Sequence, residues 1–422
     1  MTPIYFVGTY KPIMCGIADY TSYITREIPP KKWRVISFAL EACGEPLIRD
    51  SYIPAGQVWY GIPSRDEFSA SAILKGIGQL SGNDENPVLW FQHEFGIWRD
   101  SQKFVTMLKD LNLPKIVTFH TLHFQSTVTQ SGLQKEEYEL LQALLPHVDA
   151  ITVFSRGVHR AVTQALPEYQ KKVHEIKHGI RLLPEVSRLN REKCREKLTD
   201  FLLESDLDQL TKESLNKQRI FLDSDAVIIG QTGFLGSYKY SELLYIFRDR
   251  LQQMIPHRRI IAVCIGAPRE NIQKTYAKSL RSAADGINKF LLETWLPERL
   301  LPITQRAFDI NLYWPKECTQ SGLLAHALGA GAIVAGRDLE GIGETLREAG
   351  ALVDTNLRHL LIKAKDLILN PELSQNMEER ALRYAARFSW ENQARRHYEL
   401  AEQVSASNTS SGGAVPAQGN RA

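Results

Sequence analysis

Short apolar segments rich in β-branched residues punctuate the chain in two groups. The first group lies at 4–8, 35–40, 58–62, 88–93, 115–120, 150–154 and 174–177, the second at 226–231, 259–265, 290–295, 310–314, 332–335 and 351–353. Several are continuously apolar rather than alternating, the pattern of strands covered on both faces, as in a parallel sheet. Between them the apolar spacing is helical. Phe104, Val105, Leu108 and Leu111 follow Ser101, which fits an N-cap; Tyr138, Leu141, Leu144 and Leu145 repeat the pattern; Ser155 opens SRGVHRAVTQAL. Residues 188–216 are rich in charge and leucine with no strand signal, and predict one or two linker helices with an exposed charged face. Two successive groups of βα units imply an α/β chain of two Rossmann-like doubly wound domains, with the ligand crevice between them at the carboxyl ends of the strands.

The expected divisions are a first Rossmann-like domain over 1–183, a helical linker or start of the second domain over 184–225, a second Rossmann-like domain over 226–385 and a helix over 386–404. The small, polar, Gly- and Pro-containing stretch 405–422 is expected to be a disordered tail. A chain of 422 residues is long enough for such cores. Net charge is only +3, which gives no nucleic-acid footprint. The five cysteines are scattered with no CxxC pair, against a disulfide framework or zinc ribbon and in keeping with a reducing cytoplasm. The opening MTPIYFVGTY has no basic region before its apolar run, and no run approaches the ~20 residues of a membrane helix.

Chemistry is expected at the strand ends. The loop from Gly8 to Asp19 leads into a helix past Gly16, where backbone can approach a ligand closely and the following amides can bind phosphate. It is not GxGxxG, so a nicotinamide or flavin dinucleotide is disfavoured. A ligand-free tight turn accounts for this loop equally well. QHEFG (92–96) and TFHT (118–121) each place a histidine, His93 and His120, at the carboxyl end of an apolar strand. Glu94 lies beside the first, and nearby Trp98 offers an aromatic face for an acceptor sugar, although such a residue also serves as packing. In the second group GQTGFLGSYK (230–239) runs from a strand through Gly233 and Phe234 to Lys239, a cation at a helix start where the dipole disfavours one unless an anion is present. The spacing is not that of a Walker A loop. Finally ECTQSGLLAHALGAG (317–331) is a polar turn, Glu317, Thr319, Gln320, Ser321 and Gly322, entering a small-residue helix at Leu323. That helix N-terminus is suited to an anion. No thiol or carboxylate cluster completes a metal site.

Together these segments resemble the retaining glycosyltransferases of GT-B fold, the group 1 or family 4-like enzymes. The resemblance runs from Ile4 to about Leu400 and rests on CGIA (15–18), QHEFG, TFHT, KHGI (177–180), GFLGSYK (233–239), ECTQSGLLAHALGAG, GIGETLREAGALV (341–353) and FSWE (388–391). It implies two Rossmann-like domains facing a central cleft, with a C-terminal helix crossing back to the first. The N-terminal domain would receive the acceptor and the second the nucleotide sugar. It further implies catalytic roles for His120, Lys239 and Glu317, and donor contacts from Gly16, Gly233, Phe234, Lys239, Thr319, Gln320, Ser321, Gly322 and Leu323. Acceptor-side candidates are Asp19, His93, Glu94 and Trp98. Two positions depart from the family pattern. Phe234 stands where an arginine is usual, and the second of two glutamates spaced by seven residues falls on Ala325 or His326.

The implied activity is hexosyl transfer, with retention, from a nucleotide-diphosphate sugar to a hydroxyl acceptor: a glycan, a lipid-linked molecule or a small molecule. No other cofactor and no metal is expected. The setting would be cytoplasmic polysaccharide biosynthesis, with peripheral association at the inner face of the membrane where the acceptor is lipid-linked. The rival readings are a catalytically degenerate GT-B protein that binds a nucleotide sugar or a partner, and a GT-B-like sugar-nucleotide epimerase or phosphorylase.

Overall fold

The structure, a computed structural model, describes residues 2–42, 44–48, 53–80, 87–268 and 271–411. The chain divides into two compact units, residues 1–179 with 390–422, and residues 180–389.

The first unit is built on seven parallel strands: β1 (Ile4–Val7), β2 (Trp33–Phe38), β3 (Val58–Ile62), β4 (Val88–His93), β5 (Lys115–Phe119), β6 (Ala150–Val153) and β7 (Val173–Glu175). Their order is β3-β2-β1-β4-β5-β6-β7. Successive residues point to opposite faces, and both faces are dry. Tyr5, Val7, Phe38, Phe91 and Val117 belong to one core, while Ile4, Phe6, Trp33, Trp90 and Ile116 belong to the other. That is why these strands carry continuous apolar runs. The second core is closed by helix Gly16–Glu27 and by the C-terminal helix Trp390–Ser411, through Tyr20, Tyr23 and Ile24 on one and Trp390, Ala394, Leu400 and Ala401 on the other. The C-terminal helix thus belongs to the first unit.

The second unit has six parallel strands: β8 (Val227–Thr232), β9 (Ile260–Ile265), β10 (Lys289–Leu292), β11 (Ile310–Tyr313), β12 (Val334–Arg337) and β13 (Leu352–Asp354), in the order β10-β9-β8-β11-β12-β13. Again alternate residues feed two cores, with Val227, Ile229 and Ala262 in one and Ile228, Ile261 and Val263 in the other.

Three local expectations can be set beside the structure. The charge-rich segment after the first sheet forms two helices, as expected, Arg191–Glu204 and Gln209–Gln218. The first also has an apolar face: Cys194, Leu198 and Leu202, four residues apart, are fully buried against the second sheet. Its Arg195 is buried too, bonding the Ala307 carbonyl at 3.1 Å and Asp309 at 2.6 Å. Secondly, Asp100 rather than Ser101 caps helix Ser101–Asp110, its carboxylate accepting from the Lys103 amide. Thirdly, residues 405–411 continue the C-terminal helix instead of beginning a disordered tail, and 412–422 lie outside the described residues. No helix among the described residues is long and apolar enough to cross a membrane.

Candidate active site

Each sheet has one place where the order of connections reverses. In the first, β1 leads outward to β2 and β3, and the chain then returns to lay β4 on the other side of β1. In the second, β8 and β11 are the corresponding neighbours. Loops leaving adjacent strands in opposite directions open a crevice at the carboxyl ends. The motif residues fall at these two points.

At the second point the loop after β8 and the turn after β11 are tied together by the Lys316 amide, which donates to the Tyr238 carbonyl at 2.7 Å. Gly233 has φ +101°, and a Cβ there would lie 2.6 Å from the Leu323 side chain and 2.8 Å from Lys239 Nζ, so only glycine lets these three meet. Lys239 is half-buried with its ammonium enclosed. Among the described residues the ammonium makes one hydrogen bond, a long one of 3.4 Å to the Thr232 carbonyl, and meets no carboxylate. Burial lowers its pKa from 10.5 to about 8, against a smaller opposing effect of the thiols of Cys264 and Cys318. Those thiols are themselves pushed up to about 11, by burial first. Ser321 caps helix Gly322–Gly329, its hydroxyl accepting from the Leu324 amide. The Ala325 amide bonds the Ser321 carbonyl, while those of Gly322 and Leu323 have no partner among the described residues. Nothing lies within 4 Å of a Cβ built on Gly322, so no protein neighbour demands glycine there. Gln320 Oε1 is buried without a hydrogen bond. An enclosed ammonium and the first-turn amides of a helix each favour an anion.

The other predicted residues of this unit are more peripheral. Glu317 is exposed at the turn and Thr319 half-buried. Phe234 packs on Trp295 with ring centroids 5.3 Å apart, so an aromatic pair occupies the expected place of a cation. His326 is enclosed; burial lowers its pKa, with Glu298 opposing and Arg181 adding to the shift.

In the first unit, helix Gly16–Glu27 starts directly from the β1 loop with no side-chain cap. The amides of Gly16, Ile17 and Ala18 have no partner among the described residues, and Gly16, like Gly322, has no neighbour within 4 Å of a Cβ. Asp19, on the first turn, pairs with Lys11. The ends of β4 and β5 are laced side by side. His120 Nε2 meets Gln92 Oε1 at 2.8 Å, and Thr121 Oγ1 donates to Glu94 Oε2 at 2.6 Å. The amide oxygen only accepts, so His120 carries its proton on Nε2. Burial drives the His120 pKa well below 6.5, and the neighbouring His178, His93 and His397 add to that, so the ring is neutral. Its ring stands edge-on to Tyr20 at 4.9 Å and near Phe154 at 5.3 Å. Glu94 is raised by burial, partly offset by the Thr121 bond.

Two acceptor-side candidates are core residues. Trp98 is fully buried, its Nε1–H donates to the Gln92 carbonyl at 2.9 Å, and Phe38, Phe68 and Phe104 surround its ring. His93 is equally buried, packed among Phe95, Phe104 and Phe119 with neither ring nitrogen bonded; burial lowers its pKa to about 3. The pleat explains this: Gln92 and His93 point to opposite faces, and His120 meets the first. Gln92 and Gln305, both fully buried at the two crevices, were not singled out from the sequence. Among the described residues no group of three His, Cys, Asp or Glu side chains is placed to hold a metal ion.

No protein-family model and no curated protein matches the chain. Solved structures do match it along nearly its whole length. A UDP-forming α,α-trehalose-phosphate synthase from Burkholderia xenovorans is 13% identical, with a TM-score of 0.67 over 96% of this chain and 99% of that one. A sucrose-phosphate synthase from Thermosynechococcus elongatus is also 13% identical, with a TM-score of 0.67 over 96% of this chain and all of that one. HepE from Anabaena, solved in complex with UDP, is 13% identical, with a TM-score of 0.66 over 95% of this chain and all of that one. The two parallel-sheet units, with the last helix packed on the first, are the GT-B fold.

Proposed function

We propose that the protein is a retaining glycosyltransferase that moves a sugar from a nucleotide-diphosphate donor to a hydroxyl acceptor. The observation that carries this is Lys239: an enclosed ammonium which, among the described residues, has no carboxylate, on the same side of the unit as the Gly322 and Leu323 amides, which have no partner there either. Structures of similar fold were solved with UDP and with UDP-glucose, in support of a nucleotide sugar as the ligand.

In the reaction the bond from the anomeric carbon to the diphosphate oxygen breaks, and the acceptor oxygen bonds to that carbon on the same face. The acceptor's proton passes to the departing phosphate oxygen. Charge grows on the diphosphate as the bond breaks, and Lys239 and the two amides stabilise it most at that moment. Gly233, Phe234 and Gln320 shape the donor cradle, and Glu317 and Thr319 contact the sugar from the turn. Neutral His120, held by Gln92 through Nε2, lies toward the donor sugar without placing a like charge beside the developing oxocarbenium centre. The uncapped helix at Gly16, with Asp19 and Glu94, serves the acceptor side. Lys239 supplies the positive charge at the diphosphate, so the proposal requires no metal and no other cofactor.

The test is a panel of UDP-, GDP- and ADP-sugars scored for thermal stabilisation and for slow donor hydrolysis. One donor class should raise the melting temperature and be hydrolysed. No response to any of the three would sink the proposal.

A further inference from the structure

We infer that Gln305 is a positioning residue that sets the distance between the two halves of the anion cradle; this rests on reading that cradle as the donor-diphosphate site. Gln305 lies on helix Leu301–Ala307, just before β11, and is fully buried. Its Nε2 donates to the Leu323 carbonyl at 2.9 Å and lies 3.3 Å from the Tyr313 hydroxyl and 3.4 Å from Thr232 Oγ1. These partners belong to three different pieces. Thr232 ends β8 and precedes Gly233, Tyr313 ends β11, and Leu323 is in the first turn of helix Gly322–Gly329. The glutamine itself is pinned from behind: Asn311 Nδ2 donates to its backbone carbonyl at 2.7 Å and to that of Ile333 at 3.1 Å. A side chain held rigidly at its base thus grips the turn whose amides face the anion.

The orientation of the amide follows from chemistry. The Leu323 carbonyl is an acceptor only, so the NH2 end must face it. This leaves Gln305 Oε1 buried with no partner among the described residues. An unpaired buried carbonyl is unfavourable, and an apolar residue of similar shape would remove it. The donor end, with two hydrogens, has acceptors from three pieces within reach, and the acceptor end has none among the described residues. The gain lies in where the amide holds Leu323. That leucine packs directly on Gly233, next to Lys239 Nζ. Without the amide, the turn carrying the Gly322 and Leu323 N–H groups is free to drift from the lysine, and the two arms no longer converge on one diphosphate.

The test uses Gln305→Leu and Gln305→Glu in the full chain. Calorimetric titration of UDP, GDP and ADP into the wild-type protein selects the tightest, and its parent nucleoside is followed by ligand-observed NMR. In both variants the diphosphate should bind at least about tenfold more weakly, with nucleoside affinity unchanged and the melting temperature within a few degrees of wild type. Unchanged diphosphate affinity in a folded variant overturns the inference. So does a parallel loss of diphosphate and nucleoside affinity, or failure of both variants to fold, since each assigns Gln305 to the general structure. If the wild-type protein binds none of the three diphosphates, the reading of the site falls and this inference falls with it.

Discussion

The residue on which the proposed donor site depends is Lys239, and its protonation makes two predictions of different kind. Burial lowers its pKa to about 8, so the unliganded protein loses this cation as pH rises above that value. A bound diphosphate needs the charge. Above pH 8, binding must therefore take up one proton, and nucleoside-diphosphate affinity should fall about tenfold per pH unit. Calorimetry in buffers of differing ionisation enthalpy reads that proton directly. Lys239→Met should bind weakly with no such slope; an identical slope in the variant would remove Lys239 from the site. Stability runs the other way. Because the folded value lies below the unfolded one near 10.5, the folded chain holds fewer protons than the unfolded chain between about pH 8 and 10.5. The penalty of burying the charge is present below that window and relieved across it, so this residue makes stability rise with pH there.

At the scale of the element, helix Gly322–Gly329 combines a structural cap with an open first position, and the two can be separated. Ser321→Ala removes the bond to the Leu324 amide and should lower stability by about 1 kcal/mol. Gly322→Val meets no neighbour within 4 Å at its Cβ, so stability should change by less than about 1 kcal/mol. Its side chain leans back toward the helix N-terminus, the proposed place of the diphosphate, and nucleoside-diphosphate affinity should drop at least about tenfold. Chemical denaturation and titration of the pair check both; a Gly322→Val variant that binds normally would move the anion elsewhere. The central strands were legible in the sequence because they are buried on both faces, as β1, β4, β5, β8 and β9 are along their whole length. The cap at Ser155 was legible too, since a hydroxyl accepts from a first-turn amide. Sheet order was not legible, and the switch points that bring Lys239 to Gly322 depend on it. Nor does a strand-end position reveal which face a side chain takes, so His93 and Trp98 resembled binding residues while Gln92 passed unnoticed. Gln305 sits in an ordinary short helix whose sequence gives no sign of its three partners. Residues 405–411 lack an apolar period, and only the structure gives the helix its full length.

For the whole molecule, the first unit is completed by residues from the far end of the chain, and this has a measurable consequence. Gly179 ends the first stretch of that unit, and a Cβ on it would lie 2.1 Å from the Trp390 ring, so the two positions are fitted to each other. Trp390 packs on Tyr20 and Tyr23, each with centroids 5.2 Å away, and on His178 at 5.1 Å. Two helical turns later, fully buried His397 accepts from the Tyr20 hydroxyl at 3.1 Å and donates Nδ1–H to the Gln393 carbonyl at 2.7 Å. Tyr20 also contacts His120, so the aromatic cluster that seats the C-terminal helix supports the proposed catalytic histidine. Trp390→Ala deletes the anchor and should cost about 3–5 kcal/mol. At about 2–4 °C per kcal/mol for a unit of this size, its melting should fall by roughly 10 °C. Because each unit has its own cores, the loss should be confined. Hydrogen exchange should show lost protection in helix Gly16–Glu27 and strand β4, with strands β8 and β11 as protected as before. Equal loss in both units, or none in either, would mean that the C-terminal helix is not what completes the first core.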